Sequence, residues 1–397
     1  MLKNFLISSF GTLISQLILF FSLPQIAKIW GTENFGIYSQ DVSIGIIIAT
    51  LLVLRLELLV MNDDSDKAKA YLFCVIKLSL LSCIFCMVFL FVFELARYTL
   101  PLYYGFSLLL YNSSILYFSV NRRFFYISIS KVLLNLIFVS LVFFIPKDES
   151  LGIIFYHFIT TLVIFILLFY ISLKDNNKHY NISFSRLLGD GKDYVLNTFP
   201  ASVFNVSCVN IIPVIMPFLF NESKAGIFFL AYKTIIFPVG IIGQSLGNIF
   251  RRELLANRDN KNKTNNVFIY VSSIIAAICI LFYFLVINFY EIVFLSYFSY
   301  EWHDVIKIYD SILYLSILMM IYSPLGHVFL CSGNQRSDLV FNFLKLMALI
   351  AFLFLSYFYS FEFITFVNYY SFVMSGTYLL GILMVLHCYF FKFKSLA

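Results

Sequence analysis

Five charged side chains lie inside stretches otherwise built of hydrocarbon: Asp41, Arg55, Glu57, Lys77 and Lys233. A lone charge at that depth costs about 2.5 to 3.5 kcal/mol on insertion scales, so each must pair, reach an interface or face water. The chemistry open to them is limited and readable. Ammonium and guanidinium groups attract phosphate or diphosphate, whereas a carboxylate takes up a proton or a small cation. Three amides in neighbouring apolar runs, Gln16, Asn205 and Asn210, offer hydrogen bonds to a sugar, with helix-packing contacts as the plainer role.

Arg55 and Glu57 stand two residues apart in "LRLELLVMNDDSD". On an α-helix they would project about 200° from each other, which gives each a separate partner. Glu57 is expected to pair with Lys77, at similar depth in the next helix. Arg55 either snorkels to headgroups or faces an inner vestibule where a diphosphate is drawn in. Lys233, about two turns inside its helix, either pairs with Asp41 as an outer gate or binds substrate phosphate in a water-filled cavity. Asp41, Glu57 and Lys77 are thus candidates for gating or ion coupling, with Asp310 a further protonation site. No cofactor or metal is expected: the five histidines are scattered, and Cys83-x-x-Cys86 has no second ligand pair. The absence of G-x-x-x-x-G-K-[ST] excludes a P-loop ATPase within this sequence.

The elements that hold these residues follow from composition. With 61% hydrophobic and only 12% charged residues and a mean hydropathy of +0.91, the chain reads as an all-α integral membrane protein. The ~10-residue alternating segments of a β-barrel are lacking. About twelve transmembrane helices are expected, beginning near Ile7, Gly36, Tyr71, Tyr98, Ile127, Leu151, Tyr194, Gly226, Val267, Ile308, Leu339 and Phe363. The N-terminal apolar run lacks a small-x-small cleavage site and reads as the first of them.

Lysine and arginine crowd the loops on one side, among them Lys67, Lys69, Arg122, Arg123, Arg186, Lys192, Arg251 and Arg252. The other side holds only Lys28, Arg97, Lys147, Lys224 and Lys307, so both termini are expected in the cytoplasm. The net charge of +6 is then a topology signal, and no nucleic-acid partner is expected. Trp30 and Trp302 fall at the outer interface level. Lys131 and Lys345, after matching turns, read as anchors at the inner interface.

An internal repeat organises the spans. "LPQIAKIWGTENFGIYSQ" from Leu23 and "IPVIMPFLFNESKAGIFFLA" from Ile212 each run from a proline late in one helix, through a short acidic loop, to Gly-Ile-aromatic at Gly36 and Gly226. "NRRFFYISISK" from Asn121 and "NQRSDLVFNFLK" from Asn334 form a second pair. With six spans per half, both copies share one orientation, which predicts a parallel pseudo-twofold repeat. The halves are residues 1–185 and 186–397, joined by "KDNNKHYNISFSRLLGDGKD". Pro24, Pro213, Pro217 and Pro238 would bend the helices they interrupt.

The opening seventy residues resemble bacterial polysaccharide flippases, the O-antigen and capsule translocases of the multidrug, oligosaccharidyl-lipid and polysaccharide exporter superfamily. The resemblance rests on Pro24, on Phe35-Gly36 closing the first loop, on Arg55-x-Glu57, and on the acidic turn from Asn62 to Asp66. It implies a flippase of the bacterial inner membrane that carries an undecaprenyl-diphosphate-linked oligosaccharide, an O-antigen or capsule repeat unit for lipopolysaccharide or capsule biosynthesis, from the cytoplasmic to the outer leaflet by alternating access. Arg55, Lys233, Gln16, Asn205 and Asn210 would then bind substrate. Membrane lipids, polysaccharide polymerase and chain-length proteins are the partners this implies.

Two rivals compete. An ion-coupled multidrug or organic-cation antiporter of the same superfamily would show acids dominating its cavity, yet the deep charges here are mixed. A membrane polymerase would need large outer loops bearing catalytic residues, and the outer loops here are short, so the chain is not expected to be an enzyme.

Overall fold

A computed structural model describes residues 2–61, 64–145, 152–174, 182–257, 261–331 and 335–393. The protein is an all-α membrane protein, with no strand among the described residues. A bilayer offers no water to backbone amides, so a chain this apolar crosses it as helices that bond internally.

The elements are α1 (Leu2–Leu51), α2 (Ser65–Val92), α3 (Thr99–Val120), α4 (Phe124–Phe144), α5 (Gly152–Leu173), α6 (Phe184–Asp190), α7 (Phe199–Leu219), α8 (Glu222–Ala256), α9 (Lys261–Tyr297), α10 (Asp304–Leu325), α11 (His327–Cys331), α12 (Gln335–Phe358) and α13 (Phe363–His387). Among the described residues nine stretches are long and apolar enough to cross a bilayer. The first of these, Phe10–Leu51, holds two spans. It is broken at Gly31, whose φ of 79° suits a residue without Cβ. With α3 and α8 in the fourth and eighth places, the twelve expected spans are accounted for. The second span resumes at this break, five residues before Gly36, and α2 and α9 begin six residues ahead of their expected starts. Hydropathy sees only the apolar part of a helix, whereas the hydrogen-bond ladder runs on through its charged end.

The chain divides into two compact units, Met1–Gly226 and Ile227–Ala397. In the first unit, α3, α4 and α7 pack along α1, with α5 and α2 against α3. A polar seam ties α1 to α4: Ser15 Oγ donates to the Lys131 carbonyl at 2.8 Å, Asn135 Nδ2 donates to the Ser15 carbonyl at 2.8 Å, and Lys131 Nζ reaches Thr12 Oγ1 at 2.9 Å. Lys131 therefore points into the helix packing rather than anchoring at the interface. The His157 ring of α5 stacks on Phe138 of α4 at 4.5 Å, lies 4.6 Å from Tyr104 of α3, and meets the Tyr38 hydroxyl at 3.1 Å.

Also within the first unit, Gly36 and Gly226 touch. A Cβ added at Gly36 would fall 1.8 Å from the Glu222 carbonyl oxygen, and one at Gly226 would fall 2.1 Å from that of Thr32. The same crossing carries a hydrogen bond from Ser223 Oγ to Thr32 Oγ1 at 2.7 Å. The two glycines matched in the repeat are thus each other's neighbours.

In the second unit, α10 packs on α13 and α9, and α12 on α13, around Phe250, Phe268, Met320, Val328, Phe329 and Tyr389. Lys345 is 3% exposed, its ammonium 5.6 Å from the Phe341 ring centre and 5.5 Å from that of Tyr378. That cation–π enclosure replaces the interface-anchor role expected for it. Trp30 and Trp302 are likewise enclosed by protein, against Tyr156 and Phe298 respectively.

Candidate functional site

The charged turn at the end of α1 is built by an unwinding. Past Leu51 the helix does not continue: Leu54 and Arg55 adopt φ of 52° and 65°, and Leu56–Val60 tightens into a 3-10 turn. Left-handed conformations cost L-residues roughly 1 to 2 kcal/mol each, so the surroundings must hold them. They do: Leu56, Leu59 and Val60 are buried in a cluster with Tyr71, Leu72, Tyr117 and Leu187.

The reversal brings Arg55 and Glu57 together. Arg55 Nη1 donates to Glu57 Oε1 at 2.9 Å, with the guanidinium side chain 31% exposed and the carboxylate 5%. This corrects the expectation that the two diverge, which assumed an unbroken helix. It also corrects the Glu57–Lys77 pair: Lys77 is exposed on α2 and forms no ion pair among the described residues. Burial holds the Glu57 carboxyl above the ordinary carboxylate range, and the Arg55 guanidinium pulls it back down.

A second cluster surrounds Asp41, ten residues into the second span. The side chain is buried, and its Oδ1 lies 3.6 Å from Arg97 Nη2. The same guanidinium nitrogen donates to Gln40 Oε1 at 3.2 Å, and Gln40 Nε2 donates to the Val214 carbonyl of α7 at 3.0 Å. The cation paired with Asp41 is therefore Arg97, whose place between helices marks it in the sequence only as a loop charge. A residue between helices has no periodicity to reveal its direction.

Lys233, in the second unit, is half-buried on α8. Its ammonium lies 5.1 Å from the Phe229 ring centre, one turn back, and it forms no ion pair among the described residues. Of the amides, Asn210 is buried mid-helix and bonds back onto its own helix, Nδ2 donating to the Val206 carbonyl at 2.9 Å. Asn205 is exposed on α7, and Gln16 is half-buried on α1. Within the first unit the structure thus joins Arg55 to Glu57 and Asp41 to Arg97 and Gln40, and leaves Lys77 apart.

The linker after the sixth span docks on the charged turn. Tyr71 Oη donates to Asp190 Oδ2 at 2.6 Å, Cys74 Sγ meets the Ile182 carbonyl at 3.2 Å, and Leu187 of α6 is fully buried. Residues 175–181 of this linker lie outside the described residues, as do Asn62 and Asp63 of the acidic turn.

No protein-family model matches the chain, and no curated protein does. Solved structures match along nearly its whole length. The lipid II flippase MurJ in an inward closed conformation superposes with a TM-score of 0.72 at 13% identity, covering 98% of this chain and 89% of that one. An outward-facing multidrug transporter of the MATE family of the MOP superfamily gives 0.64 at 13% identity, covering 99% and 96%. The eukaryotic MATE transporter AtDTX14 gives 0.61 at 15% identity, covering 99% and 96%. At such identities the likeness establishes the fold: this chain has the fold shared by MOP-superfamily flippases and drug transporters.

Proposed function

We propose that the protein is a flippase that carries an undecaprenyl-diphosphate-linked oligosaccharide from the cytoplasmic to the outer leaflet of a bacterial inner membrane, with both termini in the cytoplasm. The observation that carries this reading is the pair of membrane-depth cations Lys77 and Lys233, which have no carboxylate partner among the described residues. An ammonium without a counter-ion in an apolar helix, half-buried at Lys233 and exposed at Lys77, suits an anionic ligand such as a diphosphate. Arg55, a third exposed beside Glu57, supplements them, and Gln16, Asn205 and Asn210 supply sugar contacts. Residues 1–185 and 186–397 rock against each other, the Arg55–Glu57 and Asp41–Arg97 pairs and Lys77 acting as gating or coupling elements. Translocation needs no chemical step, and polymerase and chain-length proteins take the sugar onward.

The second reading, an ion-coupled organic-cation antiporter, draws on the MATE transporters of the same fold and on the buried carboxylates of Asp41 and Glu57. Both acids already have an arginine beside them, which favours the anion reading. The test is translocation of a fluorescent polyprenyl-diphosphate oligosaccharide in proteoliposomes. Transport by the parent that falls at least tenfold in Lys233→Ala supports the flippase. Exchange of an organic cation without sugar transport replaces it with the antiporter.

A further inference from the structure

An apolar groove of about 390 Å³ runs along the first unit, lined by Ile48, Leu51 and Leu52 at the end of α1 and by Leu81, Ser82, Phe85 and Cys86 of α2. Behind it, Leu52, Val53 and Cys83 pack with Leu102 and Leu109 of α3, so it has a closed floor. Its α2 wall is open: Leu81 is 67% and Phe85 73% exposed. In a membrane-spanning helix such a surface meets hydrocarbon chains.

The charges beside the groove say which kind of chain. Lys77, Leu81 and Phe85 follow at intervals of four and share one face of α2, with Lys77 at the end nearer the charged turn. On the other wall, Arg55 comes three residues after Leu52. The α2 wall therefore runs from hydrocarbon to a cation, and the α1 wall passes through the left-handed break at Leu54 and Arg55 into the charged turn. Lys77 has no ion-pair partner among the described residues, and the Arg55 Nε is buried without a hydrogen bond. A groove of this size holds about a dozen methylene-sized groups.

We propose that this groove seats the first isoprene units of a polyprenyl chain while Lys77 and Arg55 hold its diphosphate. The inference rests on the flippase reading for the substrate's identity and names the site where its lipid part enters. A bilayer phospholipid carries a single phosphate on a glycerol and two chains, which a one-chain groove with two cations at one end fits less well. Ser82 is the one hydroxyl in the lining and adds little to the recognition of an apolar chain.

The experiment uses the full chain in nanodiscs with a benzophenone-bearing polyprenyl diphosphate and a benzophenone-bearing phosphatidylglycerol as probes. The expected result is labelling of the peptides carrying Leu51–Leu52 and Leu81–Cys86 by the first probe. Unlabelled polyprenyl diphosphate should suppress it at least fivefold, whereas neutral polyprenol and phosphatidylglycerol should not. Ser82→Trp, which fills the groove, and Lys77→Gln should each lower the labelling at least fivefold. The parent measurement stands even where the tryptophan variant fails to fold. Equal labelling by phosphatidylglycerol, or suppression by neutral polyprenol, overturns the proposal. Transport of lipid-linked sugar by the parent with no label in the groove also overturns it and leaves the flippase standing. Groove labelling in a parent that transports no sugar upholds the groove and sinks the flippase reading.

Discussion

Removing the guanidinium at position 55 strands the buried Glu57 carboxylate, whose Oε2 already has no hydrogen bond. Breaking a fully buried pair costs about 3 to 5 kcal/mol; with Arg55 a third exposed, we expect Arg55→Ala to cost roughly 2 kcal/mol. Thermal unfolding in detergent measures it, and Arg55→Lys should recover part of the loss. Because burial raises the Glu57 pKa in the folded state, the folded chain binds that proton more tightly than the unfolded one. Stability should therefore rise as pH falls from the raised value toward the ordinary carboxylate value near ~4.3, and Glu57→Gln should flatten that part of the profile. A profile identical in parent and variant would remove Glu57 from the account. The sequence singled these residues out by their cost in an apolar run, but it misassigned their partners. Angular reasoning holds only on a continuous helix, and no glycine or proline near Leu54 announces the reversal. Lys345 was misplaced for a related reason, since depth along a helix says nothing of the aromatic rings waiting on its neighbours.

Among the elements, the crossing at Gly36 and Gly226 is the most demanding contact. Gly36→Val would drive a side chain into the Glu222 backbone, where nothing can rotate away, and should cost about 3 kcal/mol or more. The yield of monodisperse protein on size exclusion would fall with it. Gly376 offers the contrast: a Cβ there meets open space inside α13, so Gly376→Ala should stabilise the helix by about 0.5 to 1 kcal/mol. Failure of these two substitutions to differ would mean that the crossing is not tight. The helices themselves were largely legible, because twelve apolar runs separated by charged loops leave few alternatives. The repeat was legible too, in the paired Gly-Ile-aromatic sequences. That the paired glycines touch was not, because a repeat in sequence does not say which of its members meet.

For the molecule as a whole, the charge bias of the loops predicts which ends face which compartment. In a variant with all seven cysteines replaced, a membrane-impermeant thiol reagent should label Lys224→Cys and Lys307→Cys in intact cells, and Lys192→Cys and Arg252→Cys only after permeabilisation. The reverse pattern would invert the transport direction proposed for the substrate. The all-α, multi-pass character could be read from composition and spacing alone, whereas the candidate site was legible only as a set of residue types. Its pairings depend on a broken helix and on a loop arginine. The bond between Thr32 and Ser223 joins positions 191 residues apart. A ribosome adding about 5 to 20 residues per second reaches the second roughly 10 to 40 s after the first. During that interval five further spans enter the bilayer while the first two lack that contact. The nascent chain is then most open to proteases and insertion chaperones, and it closes only when the eighth helix begins to emerge.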